Sequence, residues 1–160
     1  MEMNKILDVK NLKVTFKSRG KEVKVVRGID IEIGNGEIVG IVGESGSGKS
    51  VTMKSILGIL PENADIKADK ILFNDKDLLS ISEEKYRDLR GKEMTMIFQD
   101  PMTALNPLMK IGKQLEEVII RHRTKDRKEA ARLAVEMLGR VGISNPEHRM
   151  NQYQIGRAHV

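Results

Sequence analysis

Apolar residues in the first part of the chain fall mostly at every second position. Leu7, Val9, Leu12, Val14 and Phe16 mark residues 6–16 as a half-buried strand, and Val23, Val25, Ile29, Ile31 and Ile33 mark 23–33 as a second. Lys17-Ser18-Arg19-Gly20-Lys21 is a polar turn between them, and Gly34-Asn35-Gly36 is a tight turn beyond. Alternation then gives way to a continuous apolar run, Glu37-Ile38-Val39-Gly40-Ile41-Val42, the pattern of a buried parallel strand. Val51, Ile56, Leu57 and Leu60 predict a helix that Pro61 stops. Residues 61–69 are polar and predict a loop, 70–73 a short strand, and Asn74-Asp75 its turn. Ser80 and Glu83 have capping-box spacing and predict a helix ending at Gly91; 94–98 predict an apolar strand.

After Pro107 the period lengthens. Ile111, Leu115, Val118 and Ile119 share one face of a predicted helix. Ala130, Leu133, Ala134, Met137, Leu138 and Val141 stripe a second, with Asp126 as N-cap, Glu129 three residues on and Gly142 past the end. Lys125 to Lys128, Arg132, Glu136 and Arg140 form its solvated face.

Between the apolar run and the helix after it stands Gly43-Glu44-Ser45-Gly46-Ser47-Gly48-Lys49-Ser50, the spacing G-x-x-x-x-G-K-[ST] of a phosphate-cradling loop. Gly46 and Gly48 let the backbone curl so that successive N–H groups point at β- and γ-phosphates. Lys49 supplies a mobile point charge, the Ser50 hydroxyl is placed to ligate a bridging Mg²⁺, and the following helix adds its positive end. Strand, glycine-rich loop and helix occur in the order that such a loop needs.

Composition narrows the picture. A length of 160 residues suggests one domain with a core of its own. With no cysteine there is no disulfide or thiolate metal site. The apolar runs are too short to span a bilayer, and residues 1–10 lack the apolar stretch of a signal peptide. The net charge of +5 comes from 28 basic residues interleaved with 23 acidic ones, with three Phe and two Tyr for base stacking. That favours a solvated basic surface, or one beside an anionic membrane face, over nucleic-acid binding.

A second motif lies at Phe98-Gln99-Asp100-Pro101-Met102-Thr103-Ala104-Leu105-Asn106-Pro107. A glutamine at a strand end, before a proline-bounded loop, can reach a metal ion or an attacking water when the loop closes. With this motif in place the chain resembles the ATP-binding subunits of ABC transporters, in particular the oligopeptide, dipeptide and nickel importers. GESGSGKS is similar to the Walker A motif and IFQDPMTALNP to the Q-loop of that branch. VVRGIDIEIGNGEIVGIVG, residues 25–43, is similar too, and the resemblance covers residues 4 to about 153.

The resemblance implies an α/β fold of the P-loop NTPase (ABC-type ATPase) class, with an antiparallel β-subdomain, the start of a helical subdomain and an incomplete core sheet. It implies ATP and Mg²⁺ as cofactors, held by Gly43, Glu44, Ser45, Gly46, Ser47, Gly48, Lys49, Ser50 and Val51. Ser50 and Gln99 would meet the metal, with Gln99 as the catalytic sensor of the γ-phosphate. Val51 stands where many members carry a hydroxyl, so only its backbone N–H serves. Phe16 matches the aromatic that stacks on adenine, or is a strand-end core residue. Met94, Met96, Met102 and Met109 fill gaps in the core or present an adaptable surface to a permease helix. His122, His148 and His159 match no motif.

The implied function is the ATP-driven import of peptides or nickel at the cytoplasmic face of the cell membrane. The implied partners are transmembrane permease subunits and a second ATP-binding subunit, as homo- or heterodimer, and no nucleic acid. The alternatives are a soluble ABC-type ATPase and a nucleotide-dependent interaction module without a permease. The family's pattern continues past Tyr153 into a signature loop, a Walker B aspartate with its catalytic glutamate, a D-loop and a switch histidine, which these residues do not contain. Residues 1–154 therefore read as a partial nucleotide-binding domain, and 155–160 as a non-native tail similar to a translated sequencing adapter. Two expectations follow: nucleotide binding without meaningful turnover, and exposed strand edges beside the runs at 37–42 and 94–98.

Overall fold

A computed structural model describes residues 5–18, 20–99 and 104–154. They form two compact units, Met1–Arg87 and Asp88–Val160. The length suggested one domain; it divides because the two hydrophobic periodicities build separate cores, a sheet face in one unit and helical stripes in the other.

In the first unit β1 (Lys5–Ser18) pairs antiparallel with β2 (Lys21–Gly34), setting Leu7 opposite Ile33, Val9 opposite Ile31, Leu12 opposite Ile29 and Val14 opposite Val26. Opposite residues share a face, and Val9, Leu12 and Val14 are fully buried on it. Leu12 lies three positions after Val9, so strict alternation would turn one of them outward. The register shift there, with Asn11 at φ 51° and its N–H donated to Asp30 at 2.8 Å, absorbs the extra residue as a bulge.

β1 also carries β3 (Ala64–Lys67) along Lys13–Phe16 and β4 (Lys70–Phe73) along Leu7–Lys10, and β4 turns back into β5 (Lys76–Asp77). Among the described strands the order is β2-β1-β4-β5, with β3 on β1. β3 replaces part of the loop predicted at 61–69. Its sequence is mostly polar, and what makes it a strand is the free upper half of β1, where Ile66 lies opposite Val14.

Helix α1 (Lys49–Ile56) begins where predicted but stops earlier than Pro61. Gly58, at φ 61°, donates its N–H to Ser55 C=O at 3.1 Å, and Ile59 donates to Lys54 C=O at 3.0 Å. These two bonds close a Schellman end, so glycine rather than proline terminates the helix. The Tyr86 hydroxyl donates to Ile56 C=O in the same last turn. The capping box predicted from Ser80 is displaced. Ser82 Oγ accepts the Lys85 N–H at 3.4 Å, Ser80 Oγ donates instead to Asp77 C=O, and α2 spans Glu83–Leu89.

The largest difference from expectation concerns the two predicted core strands. Residues 37–42 form no strand, and Ile38 and Val42 are 97% and 96% exposed. Met94 makes only an isolated bridge with Arg90, and Ile97 is 97% exposed. A central strand draws its hydrogen bonds and its apolar cover from neighbours on both sides. Among the described residues neither run has a neighbouring strand.

In the second unit α3 (Ile111–His122), α4 (Arg127–Arg140) and α5 (Pro146–Met150) enclose Ile119, Ala130 and Ala134, with Leu115, Ile120, Leu133 and Met150 packed around them. The small alanines let α3 and α4 approach closely. Gly112 does the same for α5, since a Cβ there would lie 2.7 Å from Met150 C=O. Asp126 caps α4 by accepting the Lys128 N–H at 2.8 Å, and Gly142 and Ile143 close its end on Gly139 and Leu138, as predicted. Glu129 turns to Arg132 at 2.8 Å. The apolar stripes are narrower than predicted, because Val118 and Val141 are exposed.

Candidate functional site

The site is built on the transition from an unpaired segment to α1. Ser47 N–H reaches back to Glu44 C=O at 3.2 Å, a turn that puts Gly46 at φ 81°. Gly48 follows as the N-cap of α1 at φ 93°, in the left-handed region. A Cβ on Gly48 would also stand 3.2 Å from Val25 C=O, and one on Gly43 would stand 2.9 Å from Ser47 Oγ. Both conformation and space thus call for glycine here.

The first intrahelical bond is Thr52 N–H to Gly48 C=O at 2.8 Å. The amides of Lys49, Ser50 and Val51 precede it and have no carbonyl of the helix beneath them. They open at the positive end of α1, an anion-seeking arrangement. Lys49 folds back over the loop, its ammonium donating to Gly43 C=O at 2.6 Å, Glu44 C=O at 2.7 Å and Ser47 Oγ at 3.2 Å. Those acceptors are neutral, so an entering phosphate would win the ammonium by charge. Glu44, Ser45 and Ser50 are exposed, and Val51 is half-buried.

Beside the loop lies an open hollow of about 1050 Å³, lined by Gly43, Gly46, Ser47, Lys49 and Thr52 and by β2 from Val23 onward. Phe16 sits half-buried in β1, opposite Val23 and Ala64, and is not part of that lining. Gln99 belongs to the second unit, exposed at the border of residues 100–103, which lie outside the described residues together with Met102. Met94 is buried, while Met96 and Met109 are half-buried. His159 and the tail at 155–160 also lie outside.

Sequence reasoning missed Gln114. From α3 it accepts the Asn106 N–H at 2.8 Å and donates to Asn106 C=O at 3.0 Å and Met109 C=O at 3.1 Å. Asn106 Oδ1 in turn accepts the Leu108 N–H at 3.0 Å. Asn106-Pro107 was the available signal, a dipeptide that favours a turn, but nothing local names its partner eight residues on.

Among the described residues no group of three or more His, Asp or Glu gathers into a metal cage. Mg²⁺ is commonly held by one or two protein groups together with phosphates, and the exposed Ser50 hydroxyl beside Lys49 is a group that could serve in that way. No helix of the described residues is long and apolar enough to cross a membrane.

An antiparallel sheet feeding a phosphate-type loop and helix, followed by a helical unit, has the parts of a P-loop fold of the cassette type. A family model described as ABC transporter matches residues 26–157, and the chain belongs to that family. It is 47% identical over 154 residues to the oligopeptide transport ATP-binding protein OppD of Bacillus subtilis (strain 168), covering 96% of this chain and 43% of OppD. It is also 47% identical over 152 residues to the dipeptide transport ATP-binding protein DppD of the same strain, covering 94% of this chain and 45% of DppD. The chain thus spans less than half the length of these curated relatives.

Among solved structures it superposes on the dimeric structure of MJ0796, a bacterial ABC transporter cassette, with TM-score 0.72 and 21% identity, over 92% of this chain and 61% of the other. That likeness confirms the expected fold class.

Proposed function

We propose that this chain carries the phosphate-binding part of the ATP-binding subunit of an ABC importer for oligopeptides or dipeptides. The observation that carries the reading is the loop itself. Lys49 is poised over the Gly43 and Glu44 carbonyls at 2.6 and 2.7 Å, with the free amides of the α1 start beside it, in a chain of this family. Gly43 to Val51 would wrap the β- and γ-phosphates of ATP. Lys49 would leave its carbonyls for the γ-phosphate, and Ser50 would ligate Mg²⁺. The metal, when bound, neutralises phosphate charge.

Gln99 is the proposed sensor of the terminal phosphate, and Phe16 the proposed adenine contact. Permease subunits and a second ATP-binding subunit are the proposed partners, at the cytoplasmic face of the membrane. The 160 residues by themselves are proposed to bind ATP without meaningful turnover. Phosphoryl transfer needs an oriented water and a stabilised developing charge, and this loop supplies only the second.

Calorimetric titration of the chain with ATP in the presence of Mg²⁺ tests the reading. Binding is expected, with a loss of roughly 10- to 100-fold in Lys49→Ala, the scale of one charge-assisted contact. Equal affinity in the two proteins would overturn it.

A further inference from the structure

The outer face of the sheet in the first unit contains two different electrostatic environments. Around the lower half of β1 each charge is answered. Lys5 bonds Glu32 at 2.8 Å, Lys10 bonds Glu32 at 2.6 Å and Asp30 at 3.2 Å, and Lys70 bonds Asp8 at 2.5 Å. These contacts act on the acids. Hydrogen bonds from Lys10 and then Lys5 hold the Glu32 carboxyl down at about 2.

Beyond the bulge at Asn11 the pattern changes. Arg27, Lys13 and Lys67 stand directly opposite one another across β2, β1 and β3. The next row on this face adds Lys24, opposite Thr15, and the row after it Lys17. Asp65, opposite Thr15, and Glu22, opposite Lys17, are the acids of these rows, and Asp65 Oδ2 is shared between Lys17 at 3.2 Å and Lys67 at 3.7 Å. Among the described residues Lys13, Lys24 and Arg27 have no carboxylate partner. With strands about 4.8 Å apart, three cations fall within roughly 10 Å of one another along the row. Like charges directly opposite destabilise a sheet, and an external anionic surface would relieve that repulsion.

We infer that this basic end of the β2-β1-β3 face docks on an anionic lipid bilayer. Five cations stand against two carboxylates in these rows, and four of the five are lysines, point charges that suit the scattered phosphates of a headgroup layer. A nucleic acid fits less well, since these rows contain no aromatic side chain on which a base could stack. This inference goes beyond the ATP-binding reading and does not depend on it: Lys24 and Arg27 also line the hollow beside the phosphate loop, but Lys13, Lys17 and Lys67 do not.

Co-flotation of the chain with phosphatidylcholine vesicles, with and without phosphatidylglycerol, tests it at low and high salt. Binding is expected only to the phosphatidylglycerol vesicles, and salt should release it. The triple variant K13E/R27E/K67E should lose more than about 100-fold in partition, given roughly 5-fold for each charge removed and more for its reversal. The control K125E/K128E/R140E, just before α4 and on it, has the same net charge and should stay within about 5-fold of the parent.

Equal loss in both triples would reduce the effect to net charge and overturn the inference. Absence of parental binding would overturn it too. So would tighter, patch-dependent binding of an RNA or DNA duplex, in favour of a nucleic-acid surface. If circular dichroism shows the reversal triple to be unfolded, K13Q/R27Q/K67Q carries the same comparison, with roughly 100-fold expected loss.

Discussion

Two stretches of similar apolar content meet opposite fates. In the β1–β2 hairpin Val9, Leu12 and Val14 are wholly buried, each facing an apolar partner across the ladder. In residues 37–42, a run at least as apolar, Ile38 and Val42 stand 97% and 96% exposed and no strand forms. The hairpin brings its own partner through a short turn and needs nothing distant. A parallel strand depends on segments remote in sequence, and intrinsic preference cannot replace them. Hydrophobicity marks what seeks burial; pairing decides whether burial happens.

The sharpest way to break this contrast is to truncate one side chain in each region. Leu12→Ala should cost about 2–5 kcal/mol in denaturant unfolding, since it empties a fully buried site. Ile38→Ala should change stability by no more than about 0.5 kcal/mol. A cost for Ile38→Ala as large as that of Leu12→Ala would mean that the run is packed after all.

Glycines in and just beyond the second stretch differ in the same way. Gly48→Ala forces a side chain into φ 93° and to within 3.2 Å of Val25 C=O, for a loss of about 1–3 kcal/mol. Gly40→Ala meets nothing within 4 Å and should be close to neutral in the same assay.

Charge separates the regions further. Glu32 is held at about 2 by Lys10 and Lys5, and Asp30 is lowered first by the Asn11 N–H and then by Lys10. A carboxylate whose pKa is depressed by folding adds stability that is complete above its ordinary value and fades as pH falls below it. The melting temperature should therefore drop as pH falls from 4.5 towards 2, and drop less steeply in Glu32→Gln. Lys5 and Lys10 are raised, chiefly by hydrogen bonds to Glu32, so their share is present below 10.5 and lost as pH rises past it. Asp30 and Glu32 are exposed and the two lysines only half-buried, which keeps these slopes shallow.

A small effect of the opposite sign should come from Lys13→Glu, which sets a carboxylate between Arg27 and Lys67. A gain of about 0.2–1 kcal/mol is expected on thermal unfolding. No gain would show that the cations already avoid one another.

Much of this molecule was legible in its residues. The hairpin, the strand at 70–73, the start of α1 at the glycine-rich loop, and α4 with its Asp126 cap and Gly142 stop all follow from local physics: alternation, backbone freedom and side-chain capping. The phosphate loop could be read for the same reason, since its geometry depends on where Gly46 and Gly48 permit positive φ. Other features needed the fold. Mostly polar 64–67 became a strand because β1 had an open flank, Gln114 found Asn106 only once α3 was placed, and Val118 and Val141 stayed in water because α3 and α4 meet over a narrow alanine seam.

The sequence by itself therefore determined the segments whose partners lie within a few residues, and with them the loop chemistry. Tertiary structure alone decided which apolar runs were covered and which charges were answered. Burial and ion pairing depend on what arrives from elsewhere in the chain, and no local pattern carries that information.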